Sequence, residues 1–535
     1  MKHLSAIGLL ITAATLHAIP WLVEDAAWCG LLAIACGLFM VTRTGYLASF
    51  WVTWLWSSVA IAAAFHWSPA AMAYTLSSEF GLGLLVATPL ILWDGLRMAL
   101  GYWLATRLTR DVRAIWFSAA LTTMACEFLR PGVFPWRMGF MLLSWPWIMQ
   151  AVDVFGPAWT TFIGFASAGL LIATASLLVA RFYPSKSPPE ISPAPPRRNL
   201  MAWASLTIFS LNMVYSIWGI NFWQAKIDAA PKTRVALVQV DPSYVVSLEQ
   251  SRELTASVAS DVDIVCWPES SGGNYELSLD ELSDVRRIFE CSREPERGLR
   301  PWPSPTCELL LGGKNYVGDR DNPDELYVCA MLIDEREKIT ARYNKRYLMP
   351  FGEYVPFEGI VPGLASLFDM AEHVTPGLNA KVLESKTGAR LGTLLCYEDM
   401  VPEASRQMVS GGANLLISLV NGSAFESKYT LAQHRLLSQM RSIECRRYYL
   451  RCAATGETCV ISPLGRIAAR LPLQENGVLK AEVALLQGAT IYSLVPWMAP
   501  TLCLIGMVFQ ISMVVMSRVT RAQASRLAVM SREDM

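Results

Sequence analysis

The sequence predicts two kinds of structure in one chain: a polytopic α-helical membrane domain of about eight spans, and a layered α/β domain set in before the last span. The first observation is composition. Of 535 residues, 53% are hydrophobic and 17% charged, a balance that points to membrane spans rather than to a soluble protein alone. The mean hydropathy of +0.33 says the same. The second is distribution, because the long apolar runs lie before Lys232 and after Gly488, while between them the runs shorten to strand length. The third is charge. A formal net charge of zero offers nothing to a polyanion, so a nucleic-acid partner is excluded.

Residues Leu4 to Val23 follow Lys2 and His3 and could be a signal peptide or a first span. The Leu16-His17-Ala18 sequence near their end lacks a small-x-small cleavage pattern, which favours a retained helix. Runs of roughly spanning length follow at Ala27 to Val41, Tyr46 to Trp67, Phe80 to Leu104, Ala114 to Leu129, Trp159 to Ala180 and Leu200 to Phe222, and one more at Pro496 to Met516. Residues 1–222 then hold seven spans, 496–517 hold the eighth, and 518–535 form a basic tail.

Basic residues set the orientation. If all eight runs span, Arg43, the trio Arg107, Arg110 and Arg113, the loop with Arg181, Lys186, Arg197 and Arg198, and Arg518, Arg521, Arg526 and Arg532 share one face. That face is cytoplasmic by the positive-inside rule, with Glu24, Asp25 and Glu79 on the other. The expectation is a bacterial inner-membrane protein with both termini inside and residues 232–488 in the periplasm. The Pro-rich segment Pro184 to Arg198 reads as an extended cytoplasmic linker. In CEFLRPGVFPWRMGF, between the fifth and sixth runs, Glu127, Arg130 and Arg137 sit among aromatics. Charged residues at a span end ordinarily snorkel to the interface, and the competing reading is a lipid-headgroup or portal site.

Within residues 232–488 the short apolar runs RVALVQV, DIVCWPE, ELLLGG, LYVCAMLI, LGTLLCYE, NLLISLVN and YYLRCAA alternate with helix candidates Tyr244 to Ser260, Asp280 to Cys291, Pro402 to Ser410 and Leu431 to Tyr448. Asp334 to Glu337 marks a polar hairpin turn. Periodicity alone does not separate one layered α/β fold from another.

Three of these runs end on chemistry. Cys396 closes the apolar run GTLLC and is followed by Tyr397, Glu398 and Asp399; Glu269 closes VCWPE; Lys345 follows a third run in YNKRYLMPFGEYVPF. A thiol does acyl chemistry only as its thiolate, and so needs a base and a cation nearby. Glutamate as base, lysine as cation and cysteine as nucleophile suit amide or ester acyl transfer. The twelve cysteines and five histidines form no CxxC and no Cys/His cluster at metal spacing, so no metal and no cofactor is expected. GxSxG, HExxH, GxGxxG and P-loop patterns are also missing. Cys291 and Cys307 could pair across a loop, though free thiols are the expectation because no secreted-type cysteine framework is visible.

In order and kind, WPES, YNKRYLMPFGEYVPF and LLCYE resemble the nitrilase superfamily, and within it the membrane-bound apolipoprotein N-acyltransferases. PFGEYVPF is the most specific element, and EFLR followed by FPW is similar to a further segment of that family. The resemblance implies an αββα sandwich for residues 232–488. It implies Glu269 as general base, Lys345 rather than Arg346 as oxyanion and thiolate stabiliser with the Tyr397 backbone N–H, and Cys396 as nucleophile. Glu353, Tyr397 and Glu398 are then supporting residues that orient Lys345 and shape the pocket. Arg441 and Glu444 match a helix segment of the superfamily, with an i, i+3 ion pair as their simplest role.

The implied activity moves an acyl chain from a membrane phospholipid, through a thioester on Cys396, to the α-amine of a diacylglyceryl-cysteine lipoprotein N-terminus. A monomer is expected. Three departures bear on the acceptor: VQVDPSYVVSLEQ replaces a Gly-Asn segment followed by a membrane-proximal tryptophan, NGSAFES replaces Asn-Asp-Ala-Trp-Phe-Gly, and only Thr490 and Tyr492 remain of a Thr-x-Tyr-x-x-x-Gly-Asp element. A membrane-tethered amidase, or an acyltransferase with another acceptor, is the alternative they favour. A catalytically idle membrane scaffold is the third reading, opposed by Glu269, Lys345 and Cys396.

Overall fold

The computed structural model describes residues 2–76, 78–129, 134–182, 196–240, 244–269, 307–318, 323–336, 338–356, 358–360, 373–422, 427–473 and 475–533. Apolar runs of low charge become helices because, away from water, the backbone must satisfy its own hydrogen bonds. Lys2–Leu22, Ala27–Arg43, Tyr46–Ala64, Phe80–Leu108, Ile115–Leu129, Ala158–Phe182, Pro196–Ala229 and Met498–Glu533 are all helical. Five helical segments among the described residues are long and apolar enough to cross a membrane: Leu47–Ala64, Phe80–Leu108, Ala158–Phe182, Leu200–Ala229 and Met498–Thr520. Ile7–Leu22, Ala27–Arg43 and Ile115–Leu129 are apolar but shorter, so length and composition alone do not establish eight spans.

The last two long segments decide what surrounds them. Only 17% and 11% of their apolar windows are buried within the protein, and Trp203, Val214, Ile217, Leu504, Val508 and Phe509 point outward. Exposed apolar surface on that scale belongs in lipid. The chain is therefore a membrane protein.

Three details differ from expectation. The Pro196–Ala229 helix begins inside the segment read as a linker, whose preceding residues, 184–195, lie outside the described residues. The Met498–Glu533 helix runs on through most of the basic tail, whose alanine- and arginine-rich sequence favours helix. The Tyr46 to Trp67 run breaks at Phe65, before a short helix Ser68–Thr75 with proline in its first turn.

The α/β part consists of twelve strands: β1 Lys232–Gln239, β2 Ile264–Cys266, β3 Glu308–Gly318, β4 Pro323–Ile333, β5 Ile339–Asn344, β6 Leu383–Glu384, β7 Arg390–Leu395, β8 Leu415–Val420, β9 Tyr449–Ala453, β10 Cys459–Ile461, β11 Ile467–Arg470 and β12 Gly477–Ala484. They form two six-stranded sheets in the orders β12-β1-β2-β3-β4-β5 and β11-β10-β9-β8-β7-β6. Each has a parallel centre, β1-β2-β3 or β7-β8-β9, with antiparallel flanks.

Alternation along the strands builds the layers. Val235 and Leu237 of β1 enter one core with Ile264, Leu310, Leu391, Leu394 and Leu416, which joins the sheets. Ala236 and Val238 enter another with Val265, Trp267 and Leu309, covered by Val258 and Leu254 beside the Tyr244–Ala256 helix. Helices Pro402–Ser410 and Lys428–Cys445 follow β7 and β8. The Lys428–Cys445 helix is almost wholly buried, and its Leu436, Leu437, Met440 and Ile443 join the helical-bundle core with Trp21 and Trp136. One helix thus belongs to both parts of the molecule.

The hairpin turn at Asp334 is present, with its N–H donating to Lys338 O at 2.9 Å. The helix expected over Asp280 to Cys291 lies outside the described residues, as does Cys291. Cys307 and every other described cysteine are free thiols.

Candidate active site

β2 and β5 run the same way, since β5 is two antiparallel steps from β3 and β3 is parallel to β2. Their C-terminal ends therefore lie at one edge of the sheet, which delivers Glu269 and Lys345 to the same place. β7, in the other sheet, ends at Leu395, and Cys396 is the next residue.

Lys345 is 1% exposed. Its Nζ lies 2.5 Å from Glu353 Oε1 and 3.5 Å from Glu269 Oε1. Glu269, also buried, accepts the Asn421 backbone N–H on Oε2 at 3.2 Å. The Cys396 Sγ is 3.8 Å from the Asn421 carbonyl oxygen, and a hydrogen bond from Cys396 helps to hold the Glu269 charge. Glu353 is fixed in turn by the Met349 N–H, 2.7 Å from Oε2. The structure thus brings Glu269, Lys345, Glu353 and Cys396 together, with Asn421 as the fifth member.

Cys396 has φ of +45°, which costs an L residue about 1–3 kcal/mol and persists only where its surroundings over-determine it. Glu398 supplies much of that constraint. Oε1 accepts the Tyr343 hydroxyl at 2.7 Å, the Arg346 N–H at 2.7 Å and the Tyr347 N–H at 3.1 Å, while Oε2 accepts the Leu395 N–H at 3.0 Å. One buried carboxylate therefore ties the segment after Lys345 to the residue before Cys396.

Burial is the largest influence on each ionisation. It pushes the Glu269 carboxyl up, assisted by the Glu353 charge and opposed by Lys345. It pushes the Cys396 thiol well above its usual range, assisted by Glu269 and opposed by Lys345. For Lys345 burial pulls the other way, but Glu353 and Glu269 outweigh it and hold the ammonium protonated. The resting site is a thiol, a lysinium and a carboxylate of raised proton affinity, which can remove a thiol proton as attack occurs.

Three cavities adjoin one another near Cys396, which lines the smallest of them. A cavity of ≈ 710 Å³ is lined by Arg97, Glu127, Arg137, Arg346, Tyr347 and Tyr397. An apolar groove, lined by Ile61, Met72, Leu90, Trp136 and Phe351, shares Trp136 and Pro350 with that cavity. A smaller apolar cavity contains Cys396, His434 and Leu437 and shares Phe65, Trp67, Phe134 and Met349 with the groove. Tyr397 lines both the large cavity and the small one. Among the described residues, no three His, Cys, Asp or Glu side chains are grouped to hold a metal.

Glu127 does not snorkel. It is buried, paired with Arg137 at 3.0 Å, and accepts the Met138 N–H at 2.8 Å and the Thr161 hydroxyl at 3.0 Å. Three donors around a carboxylate outweigh its pull toward the interface. Arg130 lies outside the described residues, and so do Ser423 to Glu426 of NGSAFES and Asp241 to Ser243 of the first altered loop. Arg441 and Glu444 form their i, i+3 pair at 2.8 Å, fully buried. Thr490 caps the helix Ile491–Leu494.

Sequence reasoning missed Asn421, Asp399 and His434. Asp399 stands in the same CYED as the nucleophile, which was a signal; an isolated histidine on an amphipathic helix gave none.

Residues 234–491 match the carbon-nitrogen hydrolase family, so the two-sheet part is a carbon-nitrogen hydrolase domain carried by a chain of membrane helices. An apolipoprotein N-acyltransferase of Geobacter metallireducens is 28% identical over 79% of this chain and 73% of its own length. One from Vibrio vulnificus is 24% identical over 91% of both. An amidase structure from Nesterenkonia sp. overlays with a TM-score of 0.34 at 20% identity, over 47% of this chain and 90% of that one. Over most of its length the chain is thus similar to apolipoprotein N-acyltransferases, and it carries a carbon-nitrogen hydrolase domain.

Replacing Glu398 by alanine leaves a hydroxyl and three backbone N–H groups without their acceptor. Glu398→Ala should lower unfolding stability by about 3 kcal/mol or more, measured by denaturation in detergent. A loss below about 1 kcal/mol would show that Glu398 does not hold the two segments together.

Proposed function

We propose that this protein is a phospholipid:apolipoprotein N-acyltransferase that works through a thioester on Cys396. The supporting observation is the site itself: a strained cysteine beside a buried glutamate of raised proton affinity and a buried lysinium, opening onto apolar cavities shared with membrane helices. Glu269 takes the thiol proton as Sγ attacks the ester carbonyl of the donor. The tetrahedral oxyanion is held by the Lys345 ammonium and the Tyr397 backbone N–H. When the C–O bond breaks, Glu269 returns the proton to the leaving lysophospholipid alkoxide, and the acyl group remains on sulfur.

In the second half the α-amine of a diacylglyceryl-cysteine attacks the thioester. Glu269 takes the amine proton, the C–S bond breaks and the thiol is restored. Glu353 orients Lys345, Glu398 holds the turn, and Tyr397 shapes the pocket. The arginines of the large cavity suit a headgroup phosphate, and its rim of membrane helices suits substrates that enter from the bilayer.

The two substrates present their reactive groups at the same membrane surface, so the reaction runs as ping-pong. Given phospholipid labelled in its acyl chain and no acceptor, the purified protein should retain about one hydroxylamine-sensitive acyl group per chain, and Cys396→Ala none. Steady release of free fatty acid at the full turnover rate would make it a lipid hydrolase instead.

The arrangement we propose is residues 1–222 as a membrane domain with seven spans, residues 232–488 in the periplasm, 496–517 as the eighth span and 518–535 in the cytoplasm, in a monomer of the inner membrane. The bias of Arg43, Arg107 and Arg518 against Glu24 and Glu79 supports it. In a Cys396→Ala background, Ser410→Cys should react with a membrane-impermeant maleimide in intact spheroplasts and Gly45→Cys only after lysis. The reverse pattern would invert the topology.

A further inference from the structure

A set of buried polar side chains beside the nucleophile has no part in the chemistry above. It belongs to the Lys428–Cys445 helix, which is shared by the sandwich and the bundle. Gln433 accepts the Trp67 indole N–H at 3.0 Å and donates to Trp21 O at 3.1 Å and Ala64 O at 2.8 Å. These three bonds seat the helix on two membrane-domain helices and the turn that follows. The next residue, His434, reaches into the sandwich, where its Nε2 lies 2.5 Å from Asp399 Oδ1.

Asp399 is fully buried and stands three residues after Cys396, within the tight turn Cys396–Met400. Its other oxygen accepts the Ser418 hydroxyl at 3.0 Å and faces Arg451 Nε at 3.4 Å. Both of those partners come from strands, β8 and β9. Two helical turns beyond His434, on the same face, Arg441 donates to the Met400 carbonyl at 3.3 Å. The helix thus grips the last two residues of the nucleophile turn from outside, while Glu398 and the strands hold it from within. His434 also lines the small apolar cavity that contains Cys396.

We propose that His434 is a positioning residue for Cys396: through Asp399 it fixes the turn that carries the nucleophile, and through Gln433 that fixation depends on how the helix is seated on the membrane bundle. A cysteine at φ +45° needs such over-determination. Without His434, Asp399 keeps Ser418 and Arg451 among the described residues, and the turn is less constrained on the side of the helix. The reactivity of the thiol is then coupled to the docking of the two halves of the molecule.

The inference rests on Cys396 as the nucleophile and not on the identity of donor or acceptor. The test uses the full-length protein in detergent as wild type, His434→Leu, His434→Gln and Gln433→Ala. Alkylation of Cys396 by iodoacetamide is followed by mass spectrometry, acyl-enzyme formation from acyl-labelled phosphatidylethanolamine is followed against lipid concentration, and thermal unfolding is recorded alongside. His434→Leu should slow both alkylation and the maximal acylation rate about ten- to hundred-fold, the loss of one charge-assisted hydrogen bond, with KM for the lipid within about two-fold. His434→Gln, whose amide N–H reaches where Nε2 does, should recover the rates to within about three-fold.

Gln433→Ala, which leaves every group at the turn in place, should slow alkylation by at least about three-fold, as the loss of neutral hydrogen bonds predicts. Wild-type alkylation rates in His434→Leu, or in Gln433→Ala if His434→Leu does not fold, would overturn the inference. So would His434→Gln as slow as His434→Leu, or an effect confined to KM. If the wild type itself takes up no acyl group while the alkylation rates fall as described, the acyltransferase reading fails and this inference stands.

Discussion

The site is organised by the burial of one ammonium against two carboxylates. Lys345 Nζ cannot be desolvated alone, and Glu353 at 2.5 Å and Glu269 at 3.5 Å are what keep it charged. The cluster then carries one more negative than positive charge, and it is buried. Such a cluster has a high affinity for one further proton, and the proton on offer is that of the Cys396 thiol. Burial raises the Glu269 carboxyl, with Lys345 opposing and the Glu353 charge assisting, and burial followed by the Glu269 charge raises the Cys396 thiol. A thiolate stored at rest would place a third negative charge in the same space, so the nucleophile forms only as it attacks.

Everything around the cluster serves to hold it still. Glu398 ties the Lys345 segment to β7, Asn421 bonds Glu269 with its N–H and faces the thiol with its carbonyl, and Glu353 is fixed by the turn at Met349. The Lys428–Cys445 helix adds the membrane bundle to this frame. The bundle supplies the walls Phe65, Trp67 and Phe134 around Cys396 and seats the helix behind it.

Lys345 follows the half-buried β5 and was legible from its motif. The sequence made Glu269 and Cys396 legible because each follows a buried strand, β2 or β7, where an apolar run stops on a charged or nucleophilic side chain. The central strands were legible for the same reason. β10, β11 and β12 were not: β10 is buried but only three residues long, β11 is the four-residue IAAR with every second residue exposed, and β12 alternates with only its last two residues buried. Glu127 was read as a snorkelling end residue, because its partners Met138 and Thr161 come from segments eleven and more residues away that no local pattern connects. His434 was invisible for a similar reason. Its partner Asp399 is adjacent only once β7, β8 and the helix after them have packed.

The central claim is that Glu269 is the base and that burial, assisted by the Glu353 charge, keeps its proton affinity high. A base works only when ionised, so acylation of Cys396 should be lost as pH falls through a value above the ordinary glutamate 4.5. Glu353→Gln removes the neighbouring negative charge while leaving Glu269 and Lys345 in place. The most direct measurement is the pH profile of Cys396 acylation by phospholipid in wild type and in Glu353→Gln. The account predicts a slower enzyme whose acid limb moves to lower pH; an acid limb that stays in place or moves to higher pH would contradict it.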